Sequence, residues 1–265
     1  MSDTYEIFAV KYAHHAPRTA AMNFIGGDPH QDSQPLDFFV WAVVGKERTV
    51  IVDTGFDEVM AKKRDRQILK PVAEALKMAG VAPDKVSDVV ITHLHYDHSG
   101  NYDAFPNARY HLQDCEMDFA TGRCMCDEKM RVAFEADDVT ALVRKVYAGR
   151  VTYHDGEDQV APGITVHHIG GHSKGLQAVR VKTARGDVVL ASDAIHLYEH
   201  LETDKVFPIT YNAEDAVKGY AKLRKLAPSL KHIVPGHDPK VLERYPSPNA
   251  ALKGWVARLD VEPSA

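Results

Sequence analysis

Short apolar, β-branched runs recur along the chain at 7–10, 38–44, 49–52, 89–92, 164–168, 178–181, 188–190 and 232–234. Runs of this length and composition predict strands. Between them the apolar spacing becomes helical over 67–78, where Gly80 supplies a stop, and over 139–148. A third helix is predicted from Asn212, a capping side chain, to about 226 ahead of Pro228, and a last one after Asn249. Strands and helices alternate in both halves with no Pro-, Gly- or Ser-rich linker between them, which predicts a single α/β domain over 1–265. Two segments, 13–35 and 117–135, fit neither period. Long irregular segments in a compact domain usually carry binding function.

Composition adds less than pattern. With 265 residues, 45% hydrophobic and 26% charged, the chain buries enough surface to fold without a metal or disulfide staple. Any metal would therefore serve chemistry. The balance of 32 basic against 37 acidic residues offers no footprint for nucleic acid or an anionic membrane, so a small-molecule partner is expected. The longest strongly apolar run, 38–44, is far short of the ~20 residues that a membrane helix needs. The acidic start lacks the features of a secretory signal, and Cys115, Cys124 and Cys126, odd in number and clustered, suit a reducing compartment. Both point to the cytoplasm. Cys124 and Cys126 lack the second pair of a metal motif and are read as packing residues. The outlier is histidine, at 15 residues.

The densest histidine cluster, His93-Leu94-His95-Tyr96-Asp97-His98, directly follows the apolar run 88–91. His93 and His95 point the same way where strand geometry persists, with Asp97 and His98 in the turn beyond. Neutral imidazoles and a carboxylate suit zinc and its neighbours, and four such ligands within six residues exceed what one tetrahedral ion uses. Two metals are implied. Three further strand ends repeat the device: His172 after Gly170-Gly171, Asp193 after the run 188–192, and His237 after 232–236.

In that order the residues resemble the metallo-β-lactamase superfamily. The resemblance implies a four-layer αββα sandwich with two divalent ions, Zn²⁺ first among them, at one edge of the paired sheets. Carried over, His93, His95 and His172 hold the first ion, Asp97, His98 and His237 the second, and Asp193 bridges them. Asp53, in Val52-Asp53-Thr54-Gly55, matches a family position that steadies the site without binding metal. Such a centre uses a metal-bound hydroxide, with Asp97 beside it, to attack a polarised carbonyl; no Ser nucleophile motif is present. The stretches 26–30 and 35–41, together with 172–177, look like the N-acyl homoserine lactonase group. That implies opening of a lactone or related cyclic ester or amide, with a homodimer as one assembly open to the chain.

One position departs from the group. Where its members commonly carry a Tyr, three residues after the bridging Asp, this chain has His196, with Tyr198 two further on. Either side chain is a candidate to assist the substrate carbonyl or leaving oxygen, unless the substrate itself differs. Other chemistries on the same motif are thioester hydrolysis of the glyoxalase II type, sulfur oxidation of the persulfide dioxygenase type, and phosphodiester cleavage. The acidic C-terminus speaks against the first, and the scarcity of clustered base against the last, since Lys62-Lys63-Arg64 reads as a solvated helix face. A non-catalytic binding module would be expected to have lost ligands, and none is missing. His14, His15, His30, His111, His154, His167, His168, His200 and His232 are read as satisfied or solvent-facing, and Met22, Phe24 and Ile25 as pocket or core.

Overall fold

A computed structural model describes residues 4–264. One sheet orders its strands Val256–Arg258, Glu6–His15, Leu36–Val44, Thr49–Val52, Asp88–Val90, Arg109–Gln113 and Val151–His154, with the short Gln67–Ile68 beside Glu6–His15. From Thr49–Val52 to Val151–His154 successive neighbours are parallel, so the chain must cross over between them. The crossovers carry the helices Glu58–Arg64, Val72–Met78, Asp114–Thr121 and Ala136–Tyr147. A second sheet runs Glu157–Ala161, Ile164–His168, Gln177–Thr183, Gly186–Ser192 and Ile233–Pro235. Only its last pair is parallel, joined across the helix Ala213–Leu226.

Alternation of side chains assigns the layers. In Leu36–Val44, Phe39, Trp41 and Val43 pack with Val179, Val181, Val188 and Leu190 of the second sheet. Phe38, Val40 and Ala42 face the other way, onto the helical layer with Val72, Leu76, Val139 and Leu142. The second sheet does the same, turning Ala178, Val189 and Ala191 outward against Tyr220 and Leu223. This is the expected four-layer αββα sandwich. Burial on both faces explains why these strands read as continuous apolar runs.

Several elements differ from the pattern. Asn212 caps Ala213–Leu226 as expected, its side chain accepting from the amides of Glu214 and Asp215. The helix expected over 67–78 begins only at Val72, after Pro71, because Gln67 and Ile68 pair with Glu6–His15. Past Asn249 only the 3₁₀ turn Ala250–Leu252 forms, and the chain then joins the first sheet as Val256–Arg258. The segment 117–135 contains most of the helix Asp114–Thr121 and a 3₁₀ turn, Arg123–Cys126. The segment 13–35 is ordered by a small hairpin, Arg18–Thr19 against Asp32–Ser33, around buried Asn23. Among the described residues no helix is long and apolar enough to cross a membrane.

Candidate metal centre

Parallel pairing aims strand ends at one edge. Asp53 follows Thr49–Val52, the His93 loop follows Asp88–Val90, Asp193 follows Gly186–Ser192, and His237 follows Ile233–Pro235. His172 arrives from a turn whose Gly170 and Gly171 hold φ of 74° and 88°, a region few side chains tolerate. Gly171 has a second constraint, since a Cβ there would lie 2.5 Å from the backbone of Ala216.

The side chains converge in two groups, His93 with His95 and His172, and Asp97 with His98, Asp193 and His237, and a third group joins His172 and Asp193 to His196. Asp193 stands between the first two: its Oδ2 lies 3.3 Å from His172 Nε2, and its Oδ1 lies 3.3 Å from His98 Nε2 and 3.0 Å from His237 Nε2. Asp97 Oδ2 is 3.6 Å from both His98 and His237. All seven residues of the first two groups are buried.

Outer contacts orient the rings. His98 Nδ1 donates to Asp53 Oδ2 at 2.7 Å, His172 Nδ1 to the Ile209 carbonyl, and His237 Nδ1 to the Asp37 carbonyl at 2.9 Å. His93 Nδ1 meets the Thr92 hydroxyl at 3.1 Å. With Nδ1 engaged from behind, Nε2 is the atom that each ring turns to the centre, the arrangement of metal-ligating imidazoles. The Nε2 atoms of His93, His98 and His172 and Oδ1 of Asp193 are buried with no hydrogen-bond partner among the described residues. Orphaned inward donors of this chemistry fit a pair of divalent cations.

Charge agrees with geometry. Burial, then the neighbouring imidazoles, hold His93 and His95 well below the ordinary histidine pKa, so both are neutral, the form that can bind a cation. For His98 burial opposes charge, but Asp193, Asp97 and Asp53 outweigh it and pull the pKa up. Carboxylates crowded into one buried place demand positive charge.

Asp53 is not in either group. It accepts from the Thr92 amide at 2.7 Å, the Thr92 hydroxyl at 2.9 Å and His98, steadying the centre. Glu116, which the sequence pattern did not single out, is fully buried and accepts from the amides of Leu94 at 2.9 Å and Gly175 at 2.7 Å. It thus joins the His93 loop to the turn behind His172. Its only sequence signal is a Glu immediately ahead of the unassigned segment 117–135.

The two candidates for the missing Tyr separate. His196 Nε2 lies 2.8 Å from Asp193 Oδ2, and its ring stacks on Phe207 at 3.7 Å between centroids. Burial pushes its pKa down to about 3, so it is neutral. Tyr198 instead packs into the core between the sheets, its ring 3.8 Å beneath the Arg244 guanidinium. A cavity of about 200 Å³ opens above the centre, lined by His95, Asp97, Asp193, His196 and His237 together with Met22, Phe38, Arg18 and Arg66, and Tyr198 is absent from its lining. Phe24 and Ile25 line a separate surface hollow. Phe119, Phe134, Ile209 and Tyr211 line an adjoining apolar lobe of about 220 Å³ that shares His95 and His172.

An αββα sandwich with a strand-end His and Asp centre defines a class of metal-dependent hydrolases. The family model of the Metallo-beta-lactamase superfamily matches residues 36–237, and the chain belongs to that superfamily. Among relatives, the N-acyl homoserine lactonase AiiA of Bacillus thuringiensis subsp. kurstaki is 28% identical over 221 residues, covering 77% of this chain and 82% of the relative. The N-acyl homoserine lactonase AttM of Azorhizobium caulinodans is 30% identical over 173 residues, 62% of each chain. Among solved structures, a quorum-quenching N-acyl homoserine lactone lactonase superposes with a TM-score of 0.74 at 22% identity, covering 90% of this chain and 94% of the other. The hydrolase AbOPH superposes at 0.73 and 17% identity, covering 100% and 99%.

Proposed function

We propose that this chain is a lactonase, opening a lactone or related cyclic ester or amide by hydrolysis. The set of orphaned, inward-facing Nε2 and carboxylate atoms supports the metal-dependent hydrolysis, and the likeness to N-acyl homoserine lactonases supports the lactone. His93, His95 and His172 would hold one divalent ion, Asp97, His98 and His237 a second, and Asp193 both. When bound, such a pair, Zn²⁺ being our first assignment, lowers the pKa of a shared water and polarises a carbonyl.

The chain's own residues supply orientation. Asp193, held by His196, keeps its carboxylate between the two groups. His196 lines the cavity with a neutral imidazole and takes the place of the Tyr common in the group; its Nε2 hydrogen is held at Asp193 and its ring is fixed by Phe207. Apolar walls at Phe38, Phe134 and Ile209 exclude water around the reacting ring. Three free thiols support a cytoplasmic site of action. We treat 1–265 as one domain, supported by the shared core between the sheets.

Metal analysis joined to a panel of N-acyl homoserine lactones, γ-lactones, thioesters and phosphodiesters tests the reading. Two metals per chain and turnover of lactones are expected. Fewer than two in saturated protein would remove the bridging role of Asp193, and turnover of thioesters or phosphodiesters alone would overturn the substrate class.

A further inference from the structure

Arg18 and Arg66 line the cavity that opens onto the metal centre, and His15 lies between them. Arg18 Nη1 is 3.0 Å from His15 Nδ1, and Arg66 Nη1 is 3.2 Å from His15 Nε2. A guanidinium only donates, and a neutral imidazole accepts at one nitrogen, so one of these contacts sets N–H against N–H. Burial, then Arg66 and Arg18, lower the His15 pKa to about 4, which keeps the ring neutral at ordinary pH. Burial and then Arg66 likewise lower the Arg18 pKa to about 10. This half-buried cluster holds two cations and a neutral ring with no anion among them.

The neighbouring residues supply neutral acceptors but no anion. The third guanidinium of the cavity, Arg64, is matched: it pairs with Glu135 and lies 4.2 Å over the Tyr96 ring. Among the described residues neither Arg18 nor Arg66 has a carboxylate within ion-pair distance. Arg18 donates to Asn23 Oδ1 and the Met22 carbonyl, and Arg66 to the carbonyls of Arg64 and Asp65 and to the Tyr96 hydroxyl at 3.2 Å. These contacts fix both forks without neutralising either. Through Tyr96, the Arg66 fork is tied to the loop that carries His95 and Asp97.

We propose that Arg18, His15 and Arg66 form an oxyanion-binding subsite at the mouth of the metal cavity, so that the natural substrate carries a carboxylate or phosphate beside its scissile ring. An oxyanion accepts from both forks, and from whichever His15 nitrogen bears hydrogen, and so resolves the opposed donors. The identity of the ring rests on the lactonase reading; the anion preference does not.

Calorimetric titration of the metal-loaded protein with tetrahydrofuran-2-carboxylate, tetrahydrofurfuryl phosphate and tetrahydrofuran-2-carboxamide tests this without any hydrolysis. At least one anion should bind about tenfold or more tightly than the carboxamide, and the tighter of the two identifies the group. In Arg66→Gln that preference should collapse to within about threefold. Equal binding of all three by the unaltered protein overturns the subsite, whatever the variant does. Survival of the preference in a folded Arg66→Gln also overturns it, because the anion would then be held by metal alone. A lactonase reading that failed would show instead as intact anion preference without turnover of any lactone.

Discussion

Single residues of this chain make their contribution through satisfied or unsatisfied polar atoms. Glu116 holds two buried amides on separate loops, and each amide left without an acceptor costs roughly 1–3 kcal/mol. Glu116→Ala should therefore lower the melting temperature and speed metal loss to a chelator, with Glu116→Gln intermediate because it keeps one acceptor; unchanged chelation kinetics would show that the two loops hold themselves. Asp138 is the opposite case, a carboxyl with one oxygen buried and unpartnered. Burial, then Glu135 and Asp57, raise its pKa to about 7. In that window the folded form binds more protons than the unfolded one, so this group's contribution to stability falls as pH rises from about 4 to about 7. Asp138→Asn should raise the melting temperature at pH 8 and leave it nearly unchanged at pH 4, read by calorimetry at both values. His196→Phe belongs here too: turnover should drop by about 10²-fold or more with metal content intact, and unchanged turnover would remove His196 from the chemistry. The converging His and Asp side chains were legible in the sequence because each group follows an apolar run, whereas Glu116, Arg18 and Arg66 carry no local pattern and act through partners distant in sequence.

At the scale of elements, strand ends and tight turns set the centre's dimensions. Gly236 follows Ile233–Pro235, and a Cβ there would lie 2.5 Å from Asp193 Oδ1. Gly236→Ala should displace that carboxylate, reducing bound metal below two per chain while the far-ultraviolet spectrum is kept; full metal occupancy would mean that the Ser192–Asp193 turn yields without cost. Elements that fold by their own pattern were the easiest to read, such as the helix capped by Asn212. Those whose state is decided by a partner were not: Gln67 and Ile68 follow helical spacing yet pair with Ala13 and His14, and Asn249 caps a turn too short to become a helix. The basic run at 62–64 divides similarly, with Lys62 solvated, Lys63 exposed but paired with Glu135 at 2.6 Å, and Arg64 folded back onto Glu135 and Tyr96. His15, too, has a charged neighbourhood that only the cavity reveals, unlike His111 and His154, which close a chain between Asp88 and Asp158.

For the molecule as a whole, the centre is a clamp. His93, His95, Asp97 and His98 come from the first sheet, and His172, Asp193 and His237 from the second. Cations bound across that boundary stabilise the folded form by mass action, on the order of 3 kcal/mol at a free concentration one hundred times Kd. Chelation should therefore lower the melting temperature by about 5–10 °C, reversed on adding metal back. A melting curve indifferent to complete metal removal would argue that the sheets align without help. A layered α/β domain was readable from alternating strands and helices, and the four-layer order only from the resemblance to the superfamily, because the pairing of sheets, and hence which strand ends meet, depends on packing that no single segment encodes. The division of labour has an evolutionary consequence. His15 ends the strand Glu6–His15, Arg18 sits in the small hairpin and Arg66 in a turn, all outside the strand ends that carry the clustered His and Asp residues. With the proposed oxyanion subsite, a lineage that exchanged those stretches would inherit the hydrolytic apparatus unaltered and change only what it admits, so its descendants would diverge in diet while sharing one chemistry.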